Sequence, residues 1–250
     1  MVKESLHRAM RRVGFDLVRF ADSGNRQLPK DADEQDAKII EQARPYTMTS
    51  NERLMSLIAA VRHVALNKIE GAIAECGVWK GGSMMTAAMT LVGEGDTSRD
   101  LFLYDTFEGM STPTEADRSY DGVAASDQLA ETPEGEGVWC YSSLDEVKAN
   151  LGSIPYPQTR IHYIKGKIEE TIPENSPRSL AVLRLDTDWY ESTRHELRYL
   201  FPLLVDGGIL IIDDYGHWQG ARKAVDEFLA ASSKKYFLHR IDDTGRLIVK

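Results

Sequence analysis

Residues 180–193 read LAVLRLDTDWYEST. The stretch opens as an apolar run with the character of a buried strand and closes on two carboxylates, Asp186 and Asp188. A second apolar run, GGILIIDDY at 207–215, closes the same way on Asp213 and Asp214. Two buried strands that each deliver a pair of acids at their ends imply a parallel sheet with those ends on one side.

Outward from these runs the pattern alternates. Strands are expected at AIAECGV (72–78), LFLYDT (101–106) and RIHYIKG (160–166), as well as at 180–186 and 208–214. Helical stretches fall at 83–91, 143–150, 192–204 and 219–232. Strand–helix alternation with apolar strands predicts an α/β fold, its sheet covered on both faces. The last two runs, KYFLHRID and GRLIVK, are joined only by DTG, which demands an antiparallel hairpin at the sheet edge. TSNERLMSLIAAVRHVAL (49–66) predicts a helix capped by Thr49 or Ser50, with Leu54, Leu57, Ile58, Val61 and Val64 on one face.

The N-terminal part divides from this domain. Residues 1–20 read as a basic amphipathic helix, which lies on an anionic membrane surface or packs on its own domain or a second subunit. Residues 21–45 are a charged connector with one short helix at 36–43, so 1–45 and 46–250 are the expected divisions. Residues 110–143, rich in Gly, Thr, Pro and acids, interrupt the alternation and are expected to be a lid over the acceptor.

Bulk composition excludes several classes. The 250 residues are 42% hydrophobic and 28% charged, enough for one large core. A net charge of −9 argues against nucleic acid, whose phosphates need a positive field. Two cysteines without metal-ligand spacing point to neither a disulfide framework nor zinc, and fit a cytoplasmic setting. No run is long enough to span a membrane.

The first two strands end at a ligand. ECGVWKGGS (75–83) carries Glu75 at the strand end, with Gly77, Gly81 and Gly82 before the helix. It is not the dinucleotide fingerprint, because Trp79 stands where glycine is required. The second strand ends in Asp105, placed to hold a ribose hydroxyl pair. Two acids there disfavour a pyrophosphate and suit a cationic adenosine derivative such as S-adenosylmethionine.

AECGVWKGGS, LYDTFEGM, IKGKIEETIP, AVLRLDTDWYEST and GGILIIDDY together resemble the blocks of the macrocin O-methyltransferase family, in order and spacing. The resemblance runs from YTMTSNERL to ARKAVDEF. It implies a Rossmann-like class I methyltransferase: a mostly parallel seven-stranded sheet with an antiparallel C-terminal hairpin, N-terminal helices and the lid insert. Carried over by position, it implies cofactor contacts from Met48, Glu75, Gly77, Trp79, Gly81, Ser83, Asp105, Thr106 and Phe107. Gly166, Lys167 and Ile168 would border the adenine, with Ile168 standing where relatives often carry an aromatic residue. It further implies a homodimer or larger homo-oligomer.

Four acids crowded at two strand ends repel one another unless a cation joins them. An all-oxygen set suits Mg²⁺ or another hard divalent ion. The resemblance assigns Asp186, Asp213 and Asp214 as the ligands. The proton of an acceptor hydroxyl would go to Asp186, Asp188 or His217. The expected reaction is metal-dependent methyl transfer to a sugar hydroxyl of a glycosylated natural product or an oligo- or polysaccharide. An aromatic hydroxyl is the alternative acceptor, and an NAD-dependent oxidoreductase or a non-catalytic cofactor-binding module are the rivals from other classes.

Overall fold

The computed structural model describes residues 28–132 and 140–250. By its internal contacts the chain divides into residues 1–30 and 31–250. The amphipathic helix expected over 1–20 and the connector up to residue 27 lie outside the described residues.

The second unit opens with helix α1 (Glu34–Ala43), capped by the Asp33 side chain, which accepts from the Asp36 amide. Helix α2 (Asn51–Leu66) follows, and of its two candidate caps Ser50 is used, accepting from the Arg53 amide. Strand β1 (Ala72–Cys76) leads into α3 (Gly82–Gly93), and β2 (Leu101–Asp105) into the insert. The insert contains a helix the sequence pattern did not announce, α4 (Ala125–Glu131). Beyond it come α5 (Leu144–Gly152), β3 (Ile161–Lys165), the short α6 (Ile168–Thr171) and β4 (Leu180–Leu185). Helix α7 (Tyr190–Tyr199), β5 (Leu204–Ile212), α8 (Gln219–Ala231), β6 (His239–Arg240) and β7 (Arg246–Val249) complete the unit.

The sheet order is β3-β2-β1-β4-β5-β7-β6, parallel through β5 and antiparallel for the last two strands, as the hairpin demanded. Both faces are covered. Ile73, Leu101, Leu103, Val182 and Ile211 pack with α1, α2 and α3 on one side. Ala74, Cys76, Leu183, Leu185 and Ile212 pack with α7 and α8 on the other. Each strand must therefore be apolar at successive positions rather than at alternate ones, which is why β1 and β4 are buried throughout.

The start of β5 and the end of α7 differ from the expected ones by several residues. β5 begins at Leu204 rather than 208, because it pairs Leu180 with Leu204 before an irregularity at Gly207, φ +80°, and resumes at Val182–Ile209. Helix α7 stops at Tyr199, and a 3₁₀ turn, Phe201–Leu203, carries Pro202 into the strand.

Candidate active site

Strand register builds the site. Cys76 is level with Tyr104 on β2 and Leu185 on β4, and Leu185 is level with Ile212 on β5. The next residues, Gly77, Asp105, Asp186 and Asp213, therefore form a row across the carboxyl edge. Backbone bonds continue the ladder past the strands: Gly77 N donates to Tyr104 O, Asp186 N to Cys76 O, and Asp213 N to Leu185 O, each at 2.9 Å.

A cavity of about 260 Å³ opens along this row. Met48, Glu75, Gly77, Trp79, Ser83, Asp105, Thr106, Gly166, Lys167 and Ile168 line it, together with Asp186, Asp188, Asp213 and Asp214. Three expected site residues do not. Gly81 supports the turn with φ +86°, where a Cβ would crowd Leu151. Phe107 is buried in the core beside the β2 end. His217, one of the three candidate bases, lines a neighbouring cavity instead, its ring edge-on to Trp218 at 4.8 Å.

At the cofactor end, Asp105 is a hub of the loops. Its Oδ2 accepts from Val78 N at 2.7 Å and Trp79 N at 3.2 Å, and its Oδ1 from Phe107 N at 2.7 Å. These bonds fix the glycine-rich turn in which Trp79 itself adopts φ +46°. Gly77, φ +81°, lies so close to β4 that a Cβ would overlap the Asp186 carbonyl oxygen. Glu75 is 1% exposed, and burial pushes its pKa up to about 7 against the pull of Arg184. Its Oε1 pairs with Arg184, while Oε2 has no hydrogen-bond partner among the described residues. An orphaned carboxylate oxygen at the cavity wall fits an ammonium or amine donor.

At the acid end, sequence reading found the carboxylates and missed their cations. Arg184, 4% exposed within β4, donates Nη1 to both Glu75 and Asp186 (2.6 Å to Asp186) and Nη2 to Asp213. Arg53, in the first turn of α2, pairs with Asp213 and with Asp242 of the hairpin loop, the latter at 3.0 Å. The signal for Arg184 was present: a charge inside a buried strand must meet an opposite charge.

The two arginines do not exhaust the negative charge. Asp188 and Asp214 pair with no cation among the described residues; Asp214 Oδ2 accepts from Asp188 N at 3.2 Å. Burial pushes Asp188 up to about 6, and burial with Asp188, Asp186 and Asp213 beside it pushes Asp214 well above the carboxylate range. Burial raises Asp186 as well, against Arg184. One carboxylate oxygen from each of Asp186, Asp213 and Asp214 lies within 4.8 Å of the others. An all-oxygen set with carboxyls in excess of guanidiniums fits a hard divalent cation; Asp213 Oδ2 keeps a lone pair beyond its bond to Arg53, while Oδ1 accepts from both Arg184 and Thr49 Oγ1.

The insert closes one side. Asp117, fully buried, accepts Tyr190 N at 2.7 Å and Thr114 N at 2.7 Å. Trp189 Nε1 donates to Ser111 O at 3.0 Å, and Trp189, Trp218, Ala125 and Leu129 form a small core of their own. Cys140 also lines the cavity, its thiol pushed up to about 12 by burial and the nearby acids.

Comparison with known proteins agrees with this fold. The family model described as Macrocin-O-methyltransferase (TylF) matches residues 6–250. The 8-demethyl-8-(2,3-dimethoxy-alpha-L-rhamnosyl)-tetracenomycin-C 4'-O-methyltransferase of Streptomyces olivaceus is 34% identical over 200 residues, 80% of this chain and 74% of that protein. The demethyldecarbamoylnovobiocin O-methyltransferase of Streptomyces niveus is 31% identical over 203 residues, 81% of this chain and 75% of that protein. The solved structure of the O-methyltransferase NovP superposes with a TM-score of 0.71 at 27% identity, covering 89% of this chain and 90% of that one.

Proposed function

Because the chain belongs to the macrocin O-methyltransferase family and is an S-adenosylmethionine-dependent O-methyltransferase, we propose that its acceptor is a sugar hydroxyl of a glycosylated small molecule and that it works with a divalent cation. The rhamnosyl acceptor in the name of the Streptomyces olivaceus relative supports the sugar. The observation that carries the reading is the single row of strand ends, with Glu75 and Asp105 at one end of a cavity and Asp186, Asp213 and Asp214 at the other.

Glu75 Oε2 receives the cofactor's amine, and Asp105 faces the ribose while holding the turn that shapes the pocket. Asp186, Asp213 and Asp214 would hold the cation, which when bound supplies Lewis-acid stabilisation of the charge growing on the acceptor oxygen. Asp188 takes the hydroxyl proton at its carboxylate. With a pKa of about 6, it is ionised at neutral pH yet basic enough to serve. The pairing of Asp186 with Arg184 and the position of His217 in the other cavity support Asp188 as the base. Alignment of the two substrates supplies the remaining advantage.

Methyl transfer to p-nitrophenyl α-L-rhamnopyranoside and related glycosides, followed by mass spectrometry, tests the reading. Product should disappear with EDTA and return with Mg²⁺. Undiminished transfer in EDTA would remove the cation, and methylation of free phenols alone would remove the sugar.

A further inference from the structure

Residues 186–189 join β4 to α7, and their backbone decides where one proposed cation ligand, Asp186, and the proposed base, Asp188, stand. The loop is tied to the sheet at its start, where Asp186 N donates to Cys76 O at 2.9 Å. It then turns at Asp188 through φ +67°. Such a conformation persists in a residue other than glycine only where its surroundings fix it from several directions. The Asp214 carboxylate, accepting from Asp188 N at 3.2 Å, supplies one restraint from within the cavity.

A second restraint comes from outside it. Thr187 lines the cavity, and its Oγ1 donates to Glu196 Oε1 at 2.9 Å. Glu196, in the second turn of α7, is fully buried and does not itself line the cavity. Beside the buried Cys76 thiol, its Oε2 has no hydrogen-bond partner among the described residues. Leu197 and Leu200 of the same stretch pack into the apolar core, so an apolar side chain at 196 would suit the packing. A carboxyl in such a place costs free energy unless it is hydrogen-bonded, and the bond this one makes is to the loop that carries the acids. Burial holds Glu196 well above the usual carboxylate range, which favours its uncharged form. The carbonyl oxygen of that form is one that glutamine reproduces.

We propose that Glu196 is a positioning residue for methyl transfer: through the Thr187 hydroxyl it holds the 186–188 loop, and with it the Asp188 carboxyl, in place against the acceptor. The chemistry rests on the sugar acceptor and on Asp188 as base, as proposed above; the hold on the loop does not.

Two measurements on the full chain separate these. Hydrogen exchange followed by mass spectrometry, with S-adenosylhomocysteine saturating, reads the loop without any acceptor. Glu196→Leu and, from the other end of the bond, Thr187→Val should speed exchange in residues 186–190 and leave β1 and β5 unchanged, while Glu196→Gln should match wild type. In methyl transfer to p-nitrophenyl α-L-rhamnopyranoside, the first two should lower kcat roughly ten- to a hundredfold with KM for S-adenosylmethionine unchanged, and Glu196→Gln should restore turnover. Unaltered exchange in both Glu196→Leu and Thr187→Val, or faster exchange at full kcat, would overturn the proposal. So would equal losses in Glu196→Gln and Glu196→Leu, or a rise in the cofactor's KM in step with the fall in kcat. If wild type methylates no glycoside, the sugar reading falls, and the exchange of residues 186–190 alone decides whether Glu196 holds the loop.

Discussion

Asp188 has the most exacting position of any residue at the site. It adopts φ +67°, a left-handed conformation rare outside glycine, held by the hydrogen bond its N–H donates to Asp214 Oδ2 and by Trp189 N donating to Thr187 O at 2.8 Å. Asp188→Asn keeps the shape and the conformational tolerance while removing the base. It should lower kcat by about 10²–10⁴-fold and leave S-adenosylhomocysteine affinity unchanged. Parallel turnover and calorimetric measurements check this; a proportional loss of cofactor binding would move Asp188 out of the base role. The acids were legible in the sequence because two strand ends carried them as pairs. Arg53 and Arg184 were not, because a cation's partners are fixed by tertiary contact: Arg53 meets Asp213 across 160 positions of sequence.

Among the elements, the turn from β1 to α3 and the end of β4 are locked at Gly77. Gly77→Ala adds both a positive-φ penalty and an overlap with the Asp186 carbonyl. It should cost about 1–3 kcal/mol from the backbone conformation alone, read as a lowered unfolding midpoint, and weaken S-adenosylhomocysteine binding. An unshifted midpoint would refute that locking. The strands and the closing hairpin were readable because a doubly covered sheet forces continuous apolar runs, and a three-residue connection forces a hairpin. The insert was not. Its sequence is polar, and what orders it lies elsewhere in the chain: Asp117 against the start of α7, and a backbone bridge from Ser119 to Trp218.

For the whole molecule, the site's carboxyls shape stability against pH. A carboxyl that titrates higher folded than unfolded binds its proton more tightly in the native state. It favours the fold at low pH and loses that contribution as pH rises through its folded value. Glu75, at about 7, and Asp188, at about 6, act this way, with Asp186 and Asp214 raised in the same direction. His217, held below its usual value by burial, opposes them as a single group, and Asp242, held low, acts only at more acid pH. The unfolding midpoint of the cation-free protein should therefore fall between about pH 5 and pH 8, and saturating Mg²⁺ should flatten the fall. A midpoint rising over that interval, or a slope untouched by Mg²⁺, would contradict the electrostatics described.

The hairpin that closes the sheet reaches back to the chemistry. Asp242 in its loop accepts from Ser50 Oγ at 2.6 Å and from Arg53 Nε at 3.0 Å, and Arg53 in turn grips Asp213. Asp242 is set in place by the pairing of β7 with β5. During translation, then, the cluster stays unfinished until β7 has emerged. A nascent chain halted before β7 would have synthesised every proposed cation ligand and still lack the clasp that orients one of them.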